Sequence, residues 1–271
     1  MSFPGNVFIT DSEARSQTVT QRLPLGTRGL TPDGRAFRYC KNSSTALAVG
    51  KLVCKMTNDI SLDNDNYFCT STLYQDELTT ATSVVYVKPA ATEVIAAGVF
   101  DEGYLYVNDA AGEGQYLIIE SNPALDGTVS VVWPIYFNPD SRLSATLSTA
   151  SLIGMIENKY KDVVVSGPDA TYTVPLGATV RAVTGSYYFW LQTWGPCVVW
   201  ANLTVADGSV MTYDTFTASG TAATVGAIHV IGTSTDAITG GKLMPIGKVV
   251  AHALAIAATT THALVNLEIE P

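Results

Sequence analysis

The sequence predicts an all-β protein: mainly antiparallel β-barrel or sandwich lobes, an extended N-terminal arm and at most one short helix. Three observations lead there. Short runs rich in Val, Ile, Tyr, Phe and Thr recur at spacings of about 8 to 12 residues with Gly, Pro and Asp between them, the pattern of a barrel or sandwich. No stretch of about 20 residues keeps a helical period. Residues 185–204 hold three of the four tryptophans. In an extended strand, Tyr188, Trp190, Gln192 and Trp194 would share one face and Tyr187, Phe189, Leu191 and Thr193 the other. Both faces are mostly apolar, so this strand is expected at the centre of a lobe, ended by Gly195-Pro196 because proline cannot donate to a ladder. A second run, Cys197 to Trp200, leaves the bend. An aromatic sugar-binding platform is the competing reading of Trp190, Trp194 and Trp200, and core is favoured.

In chain order, residues 1–28 carry sparse apolar points: Phe3, Val7, Phe8, Ile9, Leu23 and Leu25. They stand among Asp, Ser, Arg, Gln and Thr. This is either a terminus without fixed order or an arm that orders against a neighbouring subunit, with these residues as anchors. Pro32-Asp33-Gly34 is a turn: proline presets φ, Asp bonds its own backbone and glycine accepts positive φ. Strands follow at 35–40 and 47–54. Residues 58–66 read as a solvated loop. Asp63, Asp65 and Asn66 fall short of a calcium loop, which needs a glycine and a distal glutamate.

Strands are expected at 84–88, 93–100 and 103–107, then a hairpin over 103–119 with an Asn/Asp/Gly turn. Strands at 128–132 and 133–137 close the first lobe, 29–140. Residues 141–160 form the linker, in which Asn138-Pro139-Asp140 caps a short helix from Ser141 to about Ile153. The second lobe, 161–271, reads as strands at 163–165, 172–176, 178–184, 186–194, 197–205, 225–231, 246–256 and 263–269. Val49 to Val53 and Ile246 to Val250 share a G-K-x-V pattern, a faint echo of two related lobes.

Composition narrows the function. Charged residues make up 14%, against about 25% in ordinary domains, so Thr, Ser, Asn, Gly and Ala must cover the surface. That suits a chain that buries much of itself in an assembly. A net charge of −9 gains nothing from releasing counterions on a phosphate backbone. The densest basic stretch, Arg28 to Lys41, is too sparse for a nucleic-acid patch. No apolar run is long enough to span a bilayer, and the first residues lack a signal-peptide layout. Partners are therefore expected to be proteins, with no nucleic acid and no membrane. Of the cysteines, Cys40, Cys54 and Cys69 could pair, but small buried thiols are the favoured reading, with Cys197 in the same class.

No catalytic, cofactor-binding or metal-binding residue is identified. His229, His252 and His262 lie in C-terminal strands, with neighbours such as Ala251, Ala253 and Ala263 that mark a strand face. There is no nucleophile elbow. Carboxylates at Asp101, Glu102 and Glu113 would be the places to look for a glycosidase pair, but nothing in the sequence sets them opposite one another. The expectation is a protein that is not an enzyme and carries no cofactor.

Gly29 to Tyr39 (G-L-T-P-D-G-R-A-F-R-Y) and Ala46 to Val53 (A-L-A-V-G-K-L-V), preceded by Leu25-Gly26-Thr27, resemble the opening of head-associated structural proteins of tailed bacteriophages. The hairpin from Glu102 to Gln115, the W-x-Q-x-x-G run from Trp190 to Gly195 and the segment from Gly247 to Leu267 are similar to phage and marine-viral structural proteins. The resemblance implies a virion structural protein of the decoration (cement) type. Such a protein would stabilise the expanded capsid from its exterior and assemble in the host cytoplasm. Its partners would be the major capsid protein and other copies of itself, as a homotrimer or homodimer. A receptor- or glycan-binding fibre or tail module is the alternative.

Overall fold

The structure is a computed structural model that describes residues 6–55, 67–69, 83–88, 94–127, 132–138, 140–166, 175–201, 210–213, 226–230, 245–252 and 261–271. Phe3, the loop at 58–66, most of the strand expected at 128–132 and parts of the later expected strands lie outside these residues. The N-terminal part holds β1 (Val7–Phe8), α1 (Asp11–Ala14), β2 (Gln17–Thr18), β3 (Arg28–Leu30), β4 (Ala36–Lys41) and β5 (Leu52–Cys54). The middle holds β6 (Tyr67–Cys69), β7 (Val84–Lys88), β8 (Val94–Ile95), β9 (Tyr104–Asp109), β10 (Tyr116–Ser121), β11 (Leu125–Asp126), β12 (Trp133–Phe137) and β13 (Leu152–Ile156). The C-terminal part holds β14 (Val164–Val165), β15 (Gly177–Thr179), β16 (Tyr188–Ala201), β17 (Val210–Tyr213), β18 (Ile228–Val230), β19 (Pro245–His252) and β20 (Thr261–Glu268). The chain is mostly β with one short helix, as its alternating patterns predict.

Residues 59–159 form one compact unit, and residues 4–58 with 160–271 form another. The division read from the sequence, 29–140 and 161–271 joined by 141–160, differs from this. Strand pairing gives the reason. β4 does not pair with the strands that follow it but lies antiparallel against β16, with Lys41 opposite Tyr188 and Tyr39 opposite Trp190. β5 likewise pairs with β14 and β15. The middle segment is thus an insertion within a β unit whose two halves are far apart in sequence. The two G-K-x-V segments both fall in that second unit.

The inserted unit is a closed barrel in the order β10-β12-β7-β6-β13-β9. The expected hairpin forms β9 and β10, with Leu105 opposite Leu117 and Tyr106 opposite Tyr116. Its turn has positive φ at Ala110, Gly112 and Gly114. Alternation sends Leu105, Val107, Leu117, Ile119, Trp133, Ile135, Phe137 and Met155 into a common core.

The helix expected at Ser141 to Ile153 is absent, and the one described helix is α1. Hydroxyl and amide side chains tie this segment to the β9–β10 hairpin along an irregular path, and Gln115 takes two of its N–H groups. Ser141 Oγ accepts the Ile118 N–H at 2.9 Å, and Gln115 Oε1 accepts the N–H groups of Ser144 and Ala145 at 2.6 and 2.9 Å. Ser151 Oγ donates to the Ala111 carbonyl at 2.7 Å. Leu143 and Leu147 are nevertheless buried in the barrel core, held by an irregular segment instead of a helix.

In the other unit, the described residues form a twelve-stranded sheet whose main path is β1-β3-β4-β16-β18-β17-β19-β20, with β2, β5, β14 and β15 paired beside it. β16 also pairs with β20, from Trp194 opposite Glu268 to Ala201 opposite Thr261. The path from β16 through β18, β17, β19 and β20 therefore returns to β16. These strands share one buried cluster, Cys197, Val199, Ile228, Ile246, Val249, Val265 and Leu267, which Leu52 and Ala178 complete.

β16 runs through Gly195-Pro196 instead of ending there. Gly195 takes φ +85°, and the register against β4 shifts between Gln192 and Trp194. The dipeptide is where the strand changes partner, from β4 to β20. The buried Gln192 amide donates to the carbonyls of Trp194, Gly195 and Pro196 at 3.1, 3.4 and 2.7 Å, so carbonyls exposed by the irregularity are satisfied internally.

Candidate functional site

The N-terminal segment was read as a terminus without fixed order or an arm ordered by a neighbour; the structure instead orders it against its own sheet. β1 pairs in parallel with β3, Val7 opposite Gly29 and Phe8 opposite Leu30. α1 opens with a reciprocal capping box: Thr10 Oγ1 accepts the Glu13 N–H at 3.2 Å and Glu13 Oε2 accepts the Thr10 N–H at 2.8 Å. Ile9, Ala14 and Leu25 are buried in one cluster with Phe37, Tyr39, Phe189 and Trp190, while Val7 and Leu23 pack on its edge. Gly29 has no room for a side chain, because a Cβ there would lie 2.7 Å from Ile9 and 2.8 Å from Trp190. Of the expected anchors, Ile9, Leu25, Val7 and Leu23 are thus used internally. Phe8 alone among the described ones is free of cover, at 82% exposure.

The D-G-R-x-F-R-Y run that begins at Asp33 explains how the segment is held. Arg35 bridges two carboxylates, with Nη2 at 2.6 Å from Asp11 Oδ1 on α1 and Nε at 2.7 Å from Asp33 Oδ2 in the preceding turn. The arginine hydrogen bonds hold the Asp11 carboxyl below its ordinary range. Asp33 is lowered too, first by the Thr31 hydroxyl and then by Arg35. Arg38 Nε lies 2.9 Å from Glu270 Oε2, and that same carboxylate oxygen accepts the Tyr160 hydroxyl at 2.6 Å. Burial together with this carboxylate pushes the Tyr160 phenol far up. Tyr39 Oη accepts the Arg22 N–H at 3.1 Å. The motif's side chains therefore clamp both ends of the described chain onto one strand. Periodicity could not show this, because Asp11 and Glu270 are remote in sequence.

Between the segment and the sheet lies a cavity of about 130 Å³, lined among others by Phe8, Ile9, Leu23, Tyr39, Tyr188 and Trp190. Tyr39 stacks on Tyr188 with centroids 6.0 Å apart and meets Trp190 edge-on at 5.2 Å. Trp190 is buried at 5%, so it belongs to the core and not to a sugar platform. Trp200 is half-buried. Lys51 Nζ lies 3.3 Å from the Trp200 ring centroid, and His262 meets that ring edge-on at 5.9 Å. Lys51 is buried, and burial lowers its pKa to about 8.

The carboxylates singled out for catalysis are not brought together. Asp101 and Glu102 sit in the bend before β9, whereas Glu113 lies in the turn after it. The six-residue strand between spans about 20 Å, more than twice the separation of a glycosidase pair. Asp101 instead accepts the Asn122 N–H at 3.3 Å. Among the described residues there is no group of three or more His, Cys, Asp or Glu side chains placed to hold a metal ion. Cys40, Cys54 and Cys197 are buried, and burial pushes Cys197 up to about 12.

The sequence reading missed the outer face of the barrel. Tyr104, Tyr116 and Tyr136 are 43%, 69% and 43% exposed, and Ile156 is 45% exposed. The signal was present in the alternation Y-L-Y-V and Y-L-I-I, which places tyrosines together on the face opposite the core. No family model, curated protein or solved structure matches this chain.

Proposed function

We propose that the chain is a virion structural protein of a tailed phage, a cement or decoration protein that binds and stabilises the expanded capsid and performs no catalysis. The observation that carries the reading is Phe8. A large aromatic stands almost fully exposed on a two-residue strand at the end of the sheet path, beside an open cavity, on a segment otherwise clamped by ion pairs. Exposed edges and apolar anchors are costly to a free protein and are covered in an assembly. The low charge content and the resemblance of Gly29 to Tyr39 and Ala46 to Val53 to phage head proteins support the same reading.

The mechanism follows from linkage. A protein that binds the expanded shell and not its precursor stabilises the expanded state by about 2.7 kcal/mol per site when its free concentration is 100 times Kd. Purified protein mixed with expanded and with unexpanded shells of its particle should co-sediment with the expanded form only. Phe8→Ser should weaken that binding while leaving the melting temperature unchanged. Wild-type protein that stays in the supernatant with expanded shells sinks the reading.

A receptor- or glycan-binding module is the second reading. The buried Trp190 does not favour it at the site first considered, but the exposed tyrosines of the barrel do.

A further inference from the structure

The tyrosine face of the barrel is a continuous surface in the strand registers. On one row Ile156 stands opposite Tyr104, which stands opposite Ile118; on the next, Gly154 stands opposite Tyr106, which stands opposite Tyr116. Tyr104 and Tyr116 meet edge-on across the rows with centroids 6.2 Å apart. β12 follows β10 in the barrel and adds the exposed Tyr136, opposite Ser121.

Gly154 gives this face its shape. A Cβ there would lie 2.3 Å from Tyr106 Cζ and 2.4 Å from its hydroxyl oxygen. The Tyr106 ring therefore lies across the backbone of β13, and glycine is what lets it lie there. A neighbouring strand thus offers a ring laid along the sheet, with Tyr116 standing largely free beside it. Polar groups border the rings: Asn108 and Asp109 end β9, and the exposed Glu120 lies on the outward face of β10.

We infer that this face is a carbohydrate-binding platform for a neutral or N-acetylated glycan. A pyranose ring has an apolar C–H face that stacks on an aromatic ring and a rim of hydroxyls that bond to amides and carboxylates. The face supplies both kinds of group on neighbouring strands. Its charge points the same way. The charged side chains on β9, β10, β12 and β13 are Asp109 and Glu120, both acidic, so these strands offer no match to an anionic sugar. A second copy is disfavoured as the occupant, because an isologous contact sets the same patch against itself. It would set the acidic Asp109 and Glu120 of one copy against the same acidic patch of another, in two chains that each carry −9. The inference goes beyond the capsid reading and does not require it.

The test uses the intact protein on an array of short cello-, chito-, malto- and galacto-oligosaccharides, with its mass followed by sedimentation equilibrium. The expected result is retention by at least one glycan. Tyr116→Ala and Tyr104→Ala should weaken it at least about tenfold, an effect of stacking size. Tyr116→Phe, which keeps the ring, and Phe8→Ala, which lies in the other unit, should retain it. Both tyrosine sites are exposed, so the alanine variants should keep the wild-type melting temperature. Three outcomes overturn the inference: no glycan retained, retention that survives both alanine variants, or a wild-type self-association that Tyr116→Ala abolishes. The last would make the face an interface between copies.

Discussion

Both units of the chain place aromatic rings on strand faces, yet they treat them in opposite ways. In the unit built from residues 4–58 and 160–271, Phe37, Tyr39, Phe189 and Trp190 are roofed by Ile9, Leu23 and Leu25 from the N-terminal segment. In the barrel of residues 59–159, Trp133, Phe137 and Phe100 fill the interior, while Tyr104, Tyr116 and Tyr136 face outward and exposed. β9 alternates between core and outward residues, whereas β4 and β16 are covered on both faces. What differs is whether a remote segment returns to cover the second face. Burial of a strand aromatic is thus a property of the chain's path as much as of its pattern.

Substitutions inside and outside the barrel should separate most widely. Trp133 is 1% exposed, and Trp133→Ala should cost about 3–5 kcal/mol, read as a lowered denaturant midpoint. A loss below about 1 kcal/mol would mean that the barrel interior is not packed as described. Next in size, Gln192→Leu removes the donor shared by three carbonyls of β16 and should cost about 1–3 kcal/mol. Gln192→Glu, which offers those carbonyls a carboxylate, should be no better.

The cover over the unit of residues 4–58 and 160–271 should loosen in acid. Asp11 and Asp33 have folded pKa values below the ordinary aspartate value of 3.8, each through arginine or hydroxyl partners. Their contribution is therefore complete above the unfolded value and drains away as pH falls through the folded one. Hydrogen exchange in residues 9–35 should be slow at neutral pH and rise selectively below about pH 4. An equal rise at neutral pH in Arg35→Gln would confirm the clamp, whereas unchanged protection would remove it. The smallest effect is expected at the exposed face: Tyr116→Ala should change stability by no more than about 0.5 kcal/mol.

These contrasts also show what the sequence could tell. The hairpin of β9 and β10, the apolar alternation of β12 and the apolar run of β16 were legible because they are local. The partner change at Gly195-Pro196 was not, because its support comes from Gln192 and from β20. The helix expected after Asp140 failed where the Gln115 side chain took the N–H groups of Ser144 and Ala145 and the Ser151 hydroxyl took that of Ser148, groups that a helix needs. The insertion of 59–159 was hidden because nothing local in Ala36 to Lys41 announces a partner near residue 190. Among the expected anchors, Ile9 and Leu25 differ from Phe8 only in facing, which depends on β3 beneath them.

Tyrosine nitration of the free protein, mapped by mass spectrometry, tests the central contrast most directly. Tyr104, Tyr116 and Tyr136 should react first, while Tyr39 and Tyr160, 4% and 5% exposed, stay protected until the protein unfolds. Protection of Tyr116 and Tyr136 alongside early reaction of Tyr39 would contradict the account, because the covered face and the open face would then be reversed.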